Sequence, residues 1–179
     1  ATAHHPDAEK SAAASPRPVA LVTGAARRIG RAIALELAHA GFDIALHHRG
    51  TRPESFAEAT ATAQELRGAG ARVELFAADF ADPAATAALL PAIAHALGRV
   101  DAVVNSASRF EYDSPERFDA ALLASLTRSN VAAPVELAQA LATQVRAQPA
   151  HARVTPCVVN LLDQKLHNPN PDYFSYTLT

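Results

Sequence analysis

Apolar and polar positions along the chain follow two alternating periods. Residues 18–23 (PVALVT) form a short apolar, β-branched run, and ARRIGRAIALELAHA follows with Ile29, Ile33, Leu37 and Ala40 at helical spacing and Gly41 at its end. Strand then helix is the reading, and the pair recurs. FDIALHH (42–48) reads as a second strand, PESFAEATATAQELRGAG (53–70) as a helix closing on glycines, and ARVELFAAD (71–79) as a third strand. DPAATAALLPAIAHALG (82–98) is a helix with an Asp-Pro start, and DAVVNSA (101–107) is a fourth strand. Residues 114–148 form one long helical stretch interrupted by Pro134, and RVTPCVVNLL (153–162) gives a fifth strand.

Short strands separated by helices predict an α/β fold, because parallel neighbours need crossover connections. Right-handed crossovers make this a doubly wound parallel sheet, the Rossmann fold, with ligands beyond the carboxyl ends of the strands. Functional side chains are therefore expected just after each strand.

Composition narrows the partners. With 179 residues, 49% of them apolar, the chain has room for one domain with a real core. A net charge of −2 without a basic run excludes the footprint of a nucleic-acid binder and favours small molecules. No stretch approaches the roughly 20 apolar residues of a membrane span, so a soluble protein is expected. The lone Cys157, in an apolar run, is expected to be a small buried hydrophobe, which fits a reducing, cytoplasmic setting. Residues 1–17 are rich in Ala, Pro and Ser, do not begin with Met and read as a disordered leader ahead of the domain at 18–179. His4 and His5 lie in that leader without a Cys or carboxylate partner, so no metal site is expected.

The chemistry begins at TGAARRIG, Thr23 to Gly30, where the first strand runs into its helix. Gly24 suits a tight turn, and Gly30 lets the helix pack closely, so that backbone amides face a pyrophosphate. The stretch resembles the short-chain dehydrogenase/reductase family, whose usual fingerprint is T-G-x-x-x-G-x-G. Arg28 stands where the middle glycine would be. The pteridine reductase branch of that family carries a basic residue there, which reaches the cofactor phosphates and the substrate. The resemblance implies an NADPH site built from Gly24, Arg27, Arg28, Ile29 and Gly30.

Later motifs extend the resemblance. Arg49, beside His48 after the second strand, replaces the acid that bonds a free ribose 2′-hydroxyl; with Arg27 nearby it favours the 2′-phosphate of NADP. Asp79, after the third strand, resembles the family aspartate that binds the adenine amino group, or else caps a helix. In NSASRF, Asn105 and Ala107 keep the family's N-N-A-G pattern, whereas Ser106 and Ser108 depart from it. Pteridine reductases share the serine matched by Ser108 and the phenylalanine matched by Phe110; in them the ring sandwiches the pterin against the nicotinamide and the serine bonds substrate and cofactor. Asn130, in SNVAAP, matches the family asparagine that holds a water of the proton relay.

The last motif is DYFSYTLT, residues 172–179. Thirteen residues before Tyr176 most of the family has a serine; here it is Asp163, as in the pteridine reductase branch. The resemblance implies hydride transfer to a pterin C=N carbon, with Tyr176 donating the proton to ring nitrogen beside Asp163. It also implies a Tyr-x-x-x-Lys motif whose lysine would be residue 180, so the chain is expected to be a fragment lacking the C-terminal part of the fold, with an unpaired sheet edge. The substrate expected is a pterin or folate (dihydrobiopterin, dihydrofolate or dihydromonapterin class) and the family assembly a homo-tetramer. Two alternatives stand beside this: a carbonyl reductase of the same family, and a non-catalytic NADPH-binding module.

Overall fold

The computed structural model describes residues 17–149, 155–169 and 171–179; the expectations for the leader, His4 and His5 included, fall outside these apart from Arg17. Five strands, β1 (Val19–Val22), β2 (Asp43–His48), β3 (Val73–Ala77), β4 (Ala102–Asn105) and β5 (Cys157–Asn160), form one parallel sheet in the order β3-β2-β1-β4-β5. The helices are α1 (Arg28–His39), α2 (Pro53–Gly68), α3 (Pro83–Leu97), α4 (Ala120–Thr127), α5 (Ala133–Ala147) and the short α6 (Phe174–Thr177). The chain thus has the doubly wound Rossmann-type fold that its alternating pattern predicts.

The two-residue period of a strand explains the double core. On β1, Val19 and Leu21 enter one apolar cluster with Leu89, Ile93, Val103, Leu137 and Leu141, while Ala20 and Val22 enter the other with Ala34, Ile44, Ala63 and Leu66. Helices therefore cover both faces, and every side chain of β1 is buried. A parallel strand between two helical layers has no solvent face, so its sequence is continuously apolar rather than alternating.

Two expectations change. The helical stretch at 114–148 is broken into a 3₁₀ turn (Pro115–Arg117), α4, a π turn over Arg128–Ala132, and α5. Asp119 caps α4 by accepting the Ala121 amide, which fixes where that helix begins. Cys157 is exposed, not buried. It stands on β5, which pairs with β4 alone at the sheet edge, and all four β5 residues are exposed among the described residues.

Candidate active site

The carboxyl ends of the strands open onto a cleft of about 700 Å³. Of the residues singled out from the sequence, Gly24, Arg27, Arg28, Ile29, Gly30, His48, Arg49, Asp79, Asn105, Ala107, Ser108, Phe110, Asp163 and Tyr176 line it. Asn130 does not; it lies behind the wall and acts on it.

The glycine turn is shaped by contacts that tolerate no side chain. Gly24 adopts φ +66°, and a Cβ there would lie 3.0 Å from the Ala107 Cα. At Gly30 a Cβ would overlap the Gly24 carbonyl oxygen, so α1 can start this close to the turn only with glycine. Arg28 replaces the usual glycine yet keeps a left-handed backbone, φ +52°. A side chain in that conformation costs on the order of 1–2 kcal/mol, and such outliers concentrate at binding sites.

The first amides of α1 have no side-chain cap and its first turn no acid, in contrast to α3, whose start is capped by Asp82. Uncapped amides and the positive helix end suit a phosphate. Asn105 Oδ1 is buried without a partner while its Nδ2 donates to Asn160 Oδ1 at 2.8 Å, which leaves one unsatisfied acceptor in the cleft wall. These features fit a dinucleotide.

Arg49 is engaged. Its Nε and Nη2 each lie 3.0 Å from Asp79 Oδ2, and Asp79 Oδ1 accepts the Ala81 amide. Partial burial works against the charged carboxyl, but the Ala81 amide and the Arg49 guanidinium together hold it below the usual carboxylate range. An incoming phosphate at Arg49 would therefore share that cation with Asp79. Arg27 is 3.8 Å from Glu58, a looser pairing.

At the other end of the cleft, the Tyr176 hydroxyl donates to Asp163 Oδ2 at 3.0 Å. Asp163 Oδ1 accepts the Lys165 amide, and this bond, followed by the one from Tyr176, keeps the exposed carboxyl below its ordinary value. Burial pushes the Tyr176 phenol up, the bond to Asp163 adds to the rise, and a bond with Ser108 works the other way. The phenol is thus protonated at neutral pH. Phe110 is stacked on Tyr173 (4.0 Å between centroids, 19°) and meets Tyr176 edge-on at 4.6 Å.

Asn130 sits in the π turn, a common form at functional positions. Its Oδ1 accepts the Arg109 amide at 2.8 Å and its Nδ2 donates to the Arg109 carbonyl at 3.0 Å. This clamps the backbone between Ser108 and Phe110. The same Nδ2 donates to Thr179 Oγ1, tying that loop to the tyrosine segment.

Several residues that matter were not singled out from the sequence. Thr23 Oγ1 accepts the Ser106 and Ala107 amides, joining the turn after β1 to the loop after β4. Buried Asp113 accepts the Ser175 amide at 3.0 Å and the Ser175 hydroxyl, anchoring α6 and with it Tyr176. Thr23 stood inside a recognised motif, whereas nothing in the local sequence links Asp113 to a residue 62 positions away.

Residues 18–167 match the family described as short chain dehydrogenase. The chain belongs to the short-chain dehydrogenase/reductase family. Among curated proteins, an uncharacterized oxidoreductase of Mycobacterium tuberculosis is 41% identical over 88 residues, 49% of this chain and 32% of that protein. Among solved structures, FolM alternative dihydrofolate reductase 1 of Brucella suis, in complex with NADP, is 33% identical with a TM-score of 0.78, covering 90% of this chain and 63% of that one. A 3-oxoacyl-[acyl-carrier protein] reductase of Brucella melitensis, in complex with NAD, is 29% identical with a TM-score of 0.78, covering 90% and 62%. The chain therefore spans less than two thirds of each of these relatives.

Proposed function

We propose that this protein is an NADPH-dependent reductase of a pterin-type C=N bond, with dihydrobiopterin, dihydrofolate or dihydromonapterin as the substrate class. The observation that carries the reading is the Tyr176 to Asp163 hydrogen bond, 3.0 Å, at the Phe110 end of the cleft. A carboxylate beside the phenol is poorly suited to a carbonyl substrate, whose oxygen gains negative charge during reduction. It is well suited to a ring nitrogen that gains a proton. The likeness to a FolM dihydrofolate reductase supports the same choice.

The cofactor, when bound, supplies the hydride. The residues of this chain take part in binding, orientation and proton delivery. Gly24 and Gly30 let the backbone approach the pyrophosphate, Arg27, Arg28 and Arg49 supply positive charge for phosphates, and Asn105 offers its buried acceptor. Phe110 gives a flat heterocycle an aromatic face, and the Asn130 clamp on Arg109 keeps that loop in register. Tyr176 holds the proton to be delivered, and Asp163 holds the phenol in orientation.

The likeness to a 3-oxoacyl reductase favours a second reading, reduction of a carbonyl. Side-by-side measurement of NADPH oxidation with a dihydropterin and with a 3-oxoacyl thioester separates them. Faster turnover of the dihydropterin is expected; turnover of the thioester alone would replace the first reading with the second. Cofactor binding without either turnover would leave a binding module.

A further inference from the structure

His47 is a buried titratable group that the proposed reaction does not use. It is 2% exposed, at the carboxyl end of β2, with its ring stacked on Phe80 (4.4 Å between centroids, 3°). Both ring nitrogens are engaged. The Gly24 amide donates to Nδ1 at 3.2 Å, and Nε2 donates to the Ala78 carbonyl at 2.9 Å. The next amide of the turn, that of Ala25, donates to the His47 backbone carbonyl at 3.0 Å. Two successive amides of the glycine turn therefore end on one residue, which also reaches the loop after β3.

The partners fix the tautomer. A carbonyl cannot donate, so Nε2 carries the proton; an amide N–H cannot accept, so Nδ1 presents its lone pair. The ring is neutral. A second proton would set N–H against N–H inside the fold, and burial already holds the imidazole down to about 4. The titratable neighbours that bear on it are His48 on the same strand and Asp79 beyond β3.

We propose that His47 is a positioning residue for the dinucleotide: its neutral imidazole staples the Gly24 amide to the Ala78 carbonyl and so presents the glycine turn preformed to the cofactor pyrophosphate. This rests on the reading above that the cleft takes NADPH. Gly24 is the point of leverage, because its carbonyl oxygen abuts Gly30 at the start of α1 and its Cα side abuts Ala107. Releasing its amide lets the turn rotate away from the helix amides. Binding must then restore what folding no longer supplies.

The test compares NADPH affinity, by fluorescence titration, with melting temperature in the wild type and three variants. In His47→Asn the side-chain carbonyl reaches the position of Nδ1 and can still accept from Gly24. In His47→Gln the amide reaches the position of Nε2 and serves Ala78 alone. His47→Phe keeps the stack on Phe80 and loses both bonds. The expected result is NADPH binding about tenfold weaker in the Gln and Phe variants, the scale of one unmet buried amide, with affinity retained in the Asn variant at a melting temperature similar to that of Gln. Loss of affinity that tracks melting temperature across all three, or no loss in any folded variant, overturns the proposal. A wild type that fails to bind NADPH brings down the functional reading as well, whereas a binding wild type with indifferent variants brings down His47 alone.

Discussion

The Tyr176 hydroxyl and the Asp163 carboxylate face each other at 3.0 Å, a donor and an acceptor joined across the 13 residues that separate β5's exit from the tyrosine helix. Burial and then the bond to Asp163 raise the phenol, while the Lys165 amide and then the bond from Tyr176 lower the carboxyl, so each residue keeps its protonation state through neutral pH. A proton donor with a raised pKa gives up its proton only to a group becoming strongly basic. A ring nitrogen that has just gained electrons answers that description.

Tyrosine titration tests the pairing. Asp163→Asn removes the charge that opposes phenolate, so the Tyr176 phenol should titrate at lower pH than in the wild type. Ultraviolet difference titration against Tyr176→Phe isolates that one phenol. No shift would show that Asp163 does not act on Tyr176, and a shift to higher pH would show that its charge does not oppose the phenolate.

Arg49 and Asp79 form the second testable pair. Asp79→Asn releases Arg49 and should tighten NADPH relative to NADH. Arg49→Ala should weaken NADPH by about tenfold while leaving NADH nearly unchanged, the usual scale of a charged hydrogen bond. Competition between the two cofactors, measured at two salt concentrations, checks both.

Arg28 should trade stability for binding. Its left-handed backbone, φ +52°, is one that glycine adopts without strain. Arg28→Gly should therefore raise unfolding free energy by about 1 kcal/mol while weakening NADPH. Denaturant unfolding and cofactor titration on the same preparation decide it.

The fold and much of the cleft were legible because each strand is followed at once by a motif. The π turn was not, since a change from i→i+4 to i→i+5 bonding leaves no mark in a run such as LTRSNVAAP. Asn130 read as the holder of a relay water, and its clamp on the Arg109 peptide became visible only once the loop after β4 had been brought against the helix. Cys157 misled for a similar reason. An apolar run predicts a strand but not how many neighbours that strand will have, and β5 lies at the edge.

Acid should weaken the fold through His47. Its ordinary value of 6.5 in the unfolded chain falls to about 4 in the buried site. Above pH 6.5 both states are neutral and nothing is lost. Between 6.5 and 4 the unfolded state takes the proton first, so stability should decline by about 3 kcal/mol in total, and below 4 the loss levels off. His47→Asn should remove this part of the pH dependence in urea unfolding series.

The most direct test of the central claim is the Asp163→Ser variant, measured for dihydropterin-dependent kcat/KM and for NADPH affinity on the same sample. The account predicts that kcat/KM falls by about a hundredfold, the lower end of what general acid catalysis contributes, because the Tyr176 proton donor is no longer held in orientation, while NADPH binding changes by less than about twofold. Equal loss of both would contradict it and leave Asp163 as no more than the residue that caps the turn at Gln164–Leu166.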